Sequence, residues 1–275
     1  MSWTQRGLGY EPPEIDTSVA HSARVYDYVL GGKDNYPPDR EAAEQMLGGW
    51  PGLRNSMRQN RKFMHRAVRY LAAERGIRQF LDIGTGIPTA PNLHQIAQEV
   101  APESRIVYVD NDPIVLAHAQ ARLNGSPEGR IAYVHADLRD SEKVLASPEL
   151  RAVFEPDEPV ALSIVAVLQL FTDDQEVHDL IKRYIQPLPP GSFLVLSTVT
   201  ADANPQGVGA AVAASRAHGM PARDRTMAEV AALFDGLELI EPGVVLVHRW
   251  RPDQDVGVEV RDEDVSMCGG IAVKR

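Results

Sequence analysis

The chain has 275 residues, of which 44% are hydrophobic and 24% charged, an ordinary composition for a globular protein that buries its own core. Its formal net charge of −10 disfavours binding to the phosphate backbone of DNA or RNA, and its one cysteine excludes an internal disulfide. No apolar run approaches the ~20 residues of a membrane span and the N-terminus does not resemble a signal peptide, so we expect a cytoplasmic protein without a membrane partner.

The first part of the chain is predicted to hold an irregular arm and a short helix. Residues 1–18 are rich in Gly, Pro and acidic residues, which is typical of an arm. Residues 19–30 predict a short helix. The Gly- and Pro-rich residues 31–39 predict a loop, because Gly-Gly, Asp-Asn and Pro-Pro each disfavour regular structure.

Two more helices are expected before the pattern changes. Asp39 is predicted to cap a helix over residues 40–47. Apolar residues at helical spacing predict a longer helix over residues 53–75. We therefore predict that residues 1–75 form an N-terminal arm and a helical cap, and that residues 76–275 form a second unit.

In this second unit, predicted strands alternate with predicted helices. Five apolar runs indicate strands, namely RQFLDIG, RIVYVD, RIAYVHAD, VALSIV and SFLVLSTVT, and shorter late runs indicate further strands. Such alternation predicts an α/β fold with a parallel sheet covered by helices on both faces. No two histidines lie four residues apart and no Cys/His spacing is typical of zinc, so we predict no metal site.

Glycines and carboxylates follow the first three predicted strands. Gly84 and Gly86 come directly after the first strand, where glycines allow a tight turn and the close approach of a ligand. The second strand ends at Asp110, where a carboxylate can accept hydrogen bonds from ribose hydroxyls, and the third ends near Asp137. Because the carboxyl ends of parallel strands share one edge of a sheet, we predict a ligand site there. The alternative is that both aspartates only cap the helices that follow.

Asp82, Gly84 and Gly86 resemble the first motif of class I methyltransferases, an acidic residue followed by Gly-x-Gly, although Pro88 stands where a third glycine is common. The resemblance implies a Rossmann-like fold with a mostly parallel seven-stranded sheet. It also implies S-adenosylmethionine as cofactor, S-adenosylhomocysteine as product, and contact of the two glycines with the amino-acid part of the cofactor. The other residues it implies are Asp110 for the ribose, Asn111 beside it, and Asp137 with Leu138 for the adenine.

Several unrelated segments also look like one actinobacterial family. They include ARVYDYVLGGKDNYPPDREAAEQML, RQNRKFMHRAVRYLA, FLDIGTGIPT, VYVDNDPIVLAHA and FDGLELIEPGVVLVHRWRPD. The family is labelled S-adenosyl methyltransferase and was earlier described as a domain of unknown function. The resemblance runs from about Ser22 to Arg275 and implies a cofactor class and a fold, but no acceptor.

Polar residues around the Gly31-Gly32 turn predict a lid over the site, with an ordinary surface loop as the alternative. The candidates for the lid and the substrate side are Tyr26, Tyr28, Lys33, Asp34, Asn35 and Gln169. In the following helix, Arg58 and Arg61 flank Asn60, and a guanidinium suits the cofactor carboxylate. Arg58 and Arg61 are therefore the candidates for the cofactor carboxylate, with Arg58 taken as the cofactor-binding residue and a solvated helix face as the alternative.

No catalytic residue is assigned. His21, His135 and Asp34 are candidate bases for an acceptor that must lose a proton. After the fourth strand, Ala166 to Gln169 lack the Pro-Pro-aromatic motif of methyltransferases that modify amino groups of bases, which agrees with the acidic charge. We therefore expect no nucleic-acid partner.

The expected function is methyl transfer from S-adenosylmethionine to a small molecule, such as a secondary metabolite. Two alternatives stay open. The first is a non-catalytic sensor of S-adenosylmethionine or a nucleoside. The second, less favoured, is a nicotinamide-dependent oxidoreductase, because no tyrosine has the lysine four residues later that short-chain dehydrogenases carry. The sequence carries no signal for the oligomeric state.

Overall fold

The structure, a computed structural model, describes residues 15–115, 117, 125–253 and 260–275. In this part of the chain the strands are β1 (Gln79–Ile83), β2 (Arg105–Asp110), β3 (Arg130–His135), β4 (Val160–Val165), β5 (Phe193–Val199), β6 (Glu238–Leu239), β7 (Val245–Leu246) and β8 (Met267–Val273). The α-helices are α1 (Ser22–Leu30), α2 (Pro37–Gly49), α3 (Leu53–Ala73), α4 (Leu93–Val100), α5 (Ser141–Leu145), α6 (Pro148–Val153), α7 (Asp174–Ile185), α8 (Pro205–Ala217) and α9 (Met227–Ala232).

The described strands form one sheet in the order β3-β2-β1-β4-β5-β8-β6, with β7 also paired to β8. Strands β1 to β5 are parallel to one another, and β8 is antiparallel to β5, β6 and β7. The prediction of a mostly parallel sheet is therefore confirmed. The sheet has eight described strands instead of the predicted seven. The additional strand is the two-residue β7, which pairs with β8 on the same side as β6.

Side chains that alternate along each strand fill two hydrophobic layers. In β1, Phe80 packs in a cluster with residues of α3 and α4, whereas Leu81 and Ile83 pack in a cluster with residues of α7 and α9. This alternation follows from the two-residue period of a strand. Helices therefore cover both faces, as the sequence predicts. Among the described residues, no helix is long and apolar enough to cross a membrane.

The start of α2 differs from the prediction. The helix begins at Pro37, so the predicted loop ends at Tyr36, and Asp39 lies in the first helical turn instead of capping it. Prolines fit there because the N–H groups of a first turn have no intrahelical partner. The fully buried carboxylate of Asp39 accepts hydrogen bonds of 2.8 Å from the backbone N–H groups of Tyr36 and His21. It thus joins the starts of α1 and α2.

Helix α3 packs directly on the sheet. Its Phe63 and Leu71 share a hydrophobic cluster with Phe80 of β1 and Ile106 of β2. A division of the chain after residue 75 stays a prediction, and residues 1–14 of the predicted arm lie outside the described residues. The segment PIVLAHAQARL, residues 113–123, also has the pattern of a helix, and of these residues 113–115 and 117 are described and helical.

Helix α8 was not predicted from the sequence. Its residues, PQGVGAAVAASRA, are mostly small, so they give little contrast between an apolar and a polar face. Tertiary contacts account for this helix instead. A Cβ on Gly207 would lie 2.7 Å from Cδ1 of Trp50, and a Cβ on Gly49 would lie 2.8 Å from the Cβ of Ala210. Small residues on both helices therefore let α2 and α8 approach closely.

Candidate active site

A cavity of about 440 Å³ lies at the carboxyl ends of β1 to β5, bordered by α1, α2, α3 and α8. The strand order reverses between β1 and β4, which is where open α/β sheets bind ligands. The volume falls in the range of ~300–1,000 Å³ that is typical of small-molecule sites. The predicted residues that line it are Tyr26, Asp82, Gly84, Gly86, Asp110, Asn111, Asp137, Leu138 and Gln169.

The glycine turn after β1 forms one wall of the cavity. Gly84 and Gly86 have φ values of +71° and +67°, a region that side chains other than glycine rarely adopt. The N–H of Gly84 donates to the carbonyl of Val109 at 2.8 Å, which ties the turn to the end of β2. A Cβ on Gly84 would lie 2.3 Å from Cγ2 of Val167, whereas one on Gly86 would meet nothing within 4 Å. Gly86 therefore leaves open space beside the turn.

Asp110 lies at the end of β2 and faces this turn. Its Oδ2 accepts a 2.8 Å hydrogen bond from the N–H of Gly86, and its Oδ1 accepts one of 2.9 Å from the N–H of Asp112. Burial raises the pKa of Asp110, and these two backbone hydrogen bonds oppose that rise. Asp112 accepts from the N–H of Ile114 at 2.9 Å, so Asp112, and not Asp110, caps the helix that begins at Pro113.

Two groups of opposite charge line the cavity near the end of β1. The half-buried carboxylate of Asp82 accepts a 2.7 Å hydrogen bond from the hydroxyl of Thr85. Burial raises the pKa of Asp82, while hydrogen bonds and the positive charge of Arg61 oppose the rise. Nη2 of Arg61 donates to the carbonyls of Thr89 and, at 2.9 Å, Pro91.

The residues predicted to frame an adenine form a second polar group. Nδ2 of Asn111 donates to Oδ2 of Asp137 at 3.4 Å, and the N–H of Arg139 donates to its Oδ1 at 2.8 Å. The carbonyl of Leu138 accepts a 3.0 Å hydrogen bond from the hydroxyl of Tyr184. These contacts hold the loop after β3 against the end of β2.

The structure places Arg58 outside the cavity. Residues of α3 at positions 57, 60, 61 and 64 line the cavity, which is the spacing of one helix face. Arg58 lies beside that face and is exposed, whereas Arg61 lies on it. Asn60 also lines the cavity and is buried, and its Oδ1 accepts a 2.6 Å hydrogen bond from the hydroxyl of Ser197.

The candidates for a lid separate into two groups. Tyr26 lines the cavity and donates a 3.2 Å hydrogen bond to the carbonyl of Met57, and burial raises the pKa of its hydroxyl. The other candidates on this segment, Tyr28, Lys33, Asp34 and Asn35, are not lining residues. Tyr28 donates to Glu44 of α2 at 2.6 Å, because it lies on the opposite side of α1.

The polar turn after α1 supports a carboxylate that the sequence analysis did not single out. Asp27 lines the cavity and is buried. Its Oδ2 accepts hydrogen bonds from the N–H of Asp34 at 3.0 Å and from Nδ2 of Asn35 at 2.8 Å, while Lys33 is exposed. The segment therefore acts on the cavity through Asp27 and not by direct contact.

The three candidate bases also lie in different places. Among them His21 lines the cavity, and its Nδ1 lies 3.0 Å from Oδ2 of Asp112. His135 is exposed at the end of β3, with Nε2 3.0 Å from the carbonyl of Asn111. Asp34 is held at Asp27, outside the lining. None of the three is assigned a catalytic role.

The part of the cavity bordered by α2 and α8 is apolar. Its lining includes Trp50, Met57, Val208, Val212 and Met220, from the end of α2, α3, α8 and the loop after α8. No chemical motif marks these residues in the sequence. Their signal was the small-residue pattern of α8, which has meaning only once α2 is packed against it.

Comparisons with known proteins agree with this architecture. A sequence model of a family described as S-adenosyl methyltransferase matches residues 9–275. The chain is similar to a DUF574 family protein from Streptomyces avermitilis MA-4680 of known crystal structure, with 53% identity, coverage of 95% of this chain and 100% of that one, and a TM-score of 0.92. A putative methyltransferase from Thermobifida fusca YX is 38% identical over 98% of this chain and 100% of that one, with a TM-score of 0.87.

A more distant likeness shows the fold alone. Magnesium protoporphyrin IX methyltransferase from Synechocystis PCC 6803, solved with bound SAH, is 12% identical over 91% of this chain and 93% of that one, with a TM-score of 0.50. No curated protein sequence matches the chain. The family match and the two close structural neighbours decide between the alternatives that the sequence left open, in favour of a methyltransferase over a nicotinamide enzyme or a sensor. The chain belongs to the S-adenosyl methyltransferase family and is an S-adenosylmethionine-dependent enzyme with the class I Rossmann-like fold.

Proposed function

We propose that this cavity binds S-adenosylmethionine across the ends of β1, β2 and β3, and that the enzyme transfers the methyl group to a small molecule held between α2, α3 and α8. One observation carries the proposal. The polar residues at Asp110 and Asp137 and the apolar residues at Trp50 and Val212 line a single continuous cavity. Cofactor and acceptor therefore have room side by side, which direct transfer needs.

The charges at the end of β1 fit the amino-acid part of the cofactor. That part carries an ammonium and a carboxylate, which match the carboxylate of Asp82 and the guanidinium of Arg61. The hydrogen bonds of Arg61 to described residues all come from Nη2, so the N–H groups of Nε and Nη1 remain as donors to a carboxylate. We therefore assign Arg61, in place of Arg58, to the cofactor carboxylate.

The remaining polar residues fit an adenosine. Asp110 is a half-buried acceptor at the end of β2, suited to ribose hydroxyls. The open space beside Gly86 lets the ligand approach the turn. Asn111, Asp137 and Leu138 lie next to it at the ends of β2 and β3, where their polar groups suit the edge of an adenine ring.

The sulfonium methyl of S-adenosylmethionine is an activated electrophile, so the protein contributes mainly by holding the acceptor in line with it. The apolar part of the cavity provides this position, because it begins beside the glycine turn at Val167, which a Cβ on Gly84 would meet at 2.3 Å. Enclosure by helices on several sides favours a small molecule over a macromolecular acceptor. A cytoplasmic location and the lack of a nucleic-acid partner stay predictions.

The test combines binding with transfer. Calorimetry with S-adenosylhomocysteine should show one site, and S-adenosylmethionine labelled with tritium in its methyl group should transfer label in a whole-cell extract. We expect the label that the protein adds, above the transfer by the extract's own methyltransferases in a control without it, in the fraction of small molecules. Added label in protein, RNA or DNA would contradict the small-molecule acceptor, and no binding of either nucleoside would contradict the cofactor site.

A further inference from the structure

The walls of the cavity divide into a charged end and an uncharged end. We call the uncharged end the apolar compartment and define it as the lining contributed by residues 46–57, 165–171 and 199–222. Its principal side chains are Met46, Trp50, Met57, Val208, Val212 and Met220. None of its described lining residues is acidic, basic or histidine.

The few polar side chains in this compartment already have protein partners. Nε2 of Gln169 donates to the carbonyl of Ala166 at 2.7 Å, and the hydroxyl of Ser215 donates to the carbonyl of Met220 at 3.2 Å. These groups are therefore committed to holding the walls in place. A ligand in the compartment meets mainly methyl, methylene, thioether and aromatic surface.

The charged end lies over different strands. Asp82, Asp110 and Asp137 lie at the ends of β1, β2 and β3 or in the turn after them, and Arg61 of α3 also lines the cavity. In contrast, the apolar compartment lies over the ends of β4 and β5.

Two charged lining residues outside both sets are already paired: Asp27 accepts from Nδ2 of Asn35, and Arg139, whose guanidinium lies 4.4 Å from the ring centroid of Phe171, donates to Glu176. Charges on a nucleoside with an amino-acid tail thus find partners in one half of the cavity, whereas a charge in the apolar compartment finds no charged partner among the residues that define it.

We propose that the methyl acceptor is an uncharged, predominantly apolar molecule that occupies the apolar compartment. The inference rests on the proposed function and adds the chemical class of the acceptor. Its physical basis is that burying an ionised group without a partner is strongly unfavourable, whereas apolar surface gains free energy on leaving water.

The methionines of the compartment bear on its selectivity. Met46, Met57 and Met220 are three of the seven methionines in the chain. Their unbranched side chains have several rotatable bonds and adapt to ligands of different outline. Apolar acceptors of more than one shape therefore fit the compartment.

The transfer step requires no further reactant. A lone pair on the acceptor atom forms the new bond to the methyl carbon, the carbon–sulfur bond breaks with its electron pair left on sulfur, and any proton on the acceptor atom leaves to water. The compartment supplies the position of the acceptor relative to the methyl group.

The test uses a pair of fluorescent probes on the protein saturated with S-adenosylhomocysteine. N-phenyl-1-naphthylamine is uncharged, and 8-anilinonaphthalene-1-sulfonate has the same aromatic frame with an anionic group. We expect one site for the uncharged probe, with about tenfold or greater preference over the anionic one. Equal binding of the two probes, or no saturable binding of the uncharged one, would overturn the inference.

Variants place the probe in the compartment. Val212→Asp places a charge on the wall of the compartment, so the affinity for the uncharged probe should fall about tenfold or more. The control is Ala213→Asp, at the next residue of α8, which is exposed; this variant should keep the wild-type affinity. If circular dichroism shows that Val212→Asp does not fold, Met46→Lys replaces it as the lining variant, with Gln45→Lys at the exposed neighbouring residue as its control. Probe affinity that is equal in lining and exposed variants would contradict the inference.

These outcomes separate the inference from the function on which it rests. Unchanged affinity for S-adenosylhomocysteine in Val212→Asp, with lost probe binding, supports both. If S-adenosylhomocysteine binds normally but the two probes bind equally, or the uncharged probe does not bind, only the proposed class of acceptor is overturned. Wild-type protein that binds no S-adenosylhomocysteine overturns the proposed function itself.

Discussion

The backbone N–H of Gly86 donates a 2.8 Å hydrogen bond to Oδ2 of Asp110, so the glycine turn after β1 and the end of β2 meet through one carboxylate. A second backbone N–H, that of Asp112, occupies the other oxygen at 2.9 Å. The carboxylate is therefore fixed in direction before any ligand arrives. A fixed acceptor costs a ligand less ordering entropy than a mobile one.

Asp110→Ala should weaken the binding of S-adenosylhomocysteine by ~1–3 kcal/mol, or roughly 5- to 150-fold, because buried ribose hydroxyls lose their acceptor. Calorimetry on the folded variant measures this. Asp157→Ala is the control, since Asp157 is exposed and does not line the cavity. Equal affinity of both variants would show that the ribose does not bind at the end of β2.

Gly84 and Gly86 should differ in their tolerance of alanine. Both have positive φ, which costs an alanine ~1–2 kcal/mol. Only at Gly84 does the new Cβ also collide with the side chain of Val167, at 2.3 Å. We expect Gly84→Ala to lower the thermal midpoint of the ligand-free protein more than Gly86→Ala, whereas Gly86→Ala should weaken cofactor binding because its Cβ enters the space through which the ligand approaches. Equal thermal midpoints of the two variants would contradict the collision with Val167.

Arg61 should discriminate between ligands with and without a carboxylate. Arg61→Gln removes charge-assisted hydrogen bonds worth ~1.5–3 kcal/mol, so affinity for S-adenosylhomocysteine should fall about tenfold or more. Affinity for 5′-methylthioadenosine, which lacks the amino-acid part, should stay unchanged. Arg58→Gln is the matched control, three residues away and exposed. Equal losses for both ligands would place Arg61 in folding and not in carboxylate binding.

Stability should fall on mild acidification because two imidazoles are held neutral. Burial lowers the pKa of His94 to about 4, and burial with the nearby Arg61 lowers that of His65 to about 4. In the unfolded chain both protonate near the ordinary value of 6.5. Between these values the unfolded state binds more protons, so the free energy of unfolding decreases as the pH falls from 6.5 towards 4.

The environment of His94 makes it the better residue for the test. The Tyr108 hydroxyl accepts a 2.8 Å hydrogen bond from the backbone N–H of His94 and lies 2.9 Å from its Nδ1, an arrangement that a neutral ring suits. Urea unfolding at pH 7.5 and pH 5 should show a smaller difference for His94→Gln than for wild type. His178→Gln, at a half-buried position of α7, should keep the wild-type difference. An unchanged difference in His94→Gln would refute this origin of acid sensitivity.

Several features of the site were accessible from the sequence for local reasons. An apolar strand that ends in glycines predicts the turn at Gly84 and Gly86, and both indeed have positive φ. The side chains of Asp110 and Asp137 were placed at one edge because parallel strands align their carboxyl ends. The predictions for Tyr28, Lys33 and Arg58 depended on knowing which side of a helix or loop faces the cavity, and the sequence holds no such information at single-residue precision.

What the sequence by itself determined are the alternation of strands and helices, the glycine turn and the carboxylates that follow the strands. These depend on side-chain period and turn chemistry, which act between near neighbours in the chain. Only the tertiary structure decided that α8 exists opposite α2, that Arg61 and Asp27 face the cavity, and that its far end is apolar. The contact of Gly207 with Trp50 joins residues far apart in the chain, and such a contact is stabilised by close packing that no local pattern encodes.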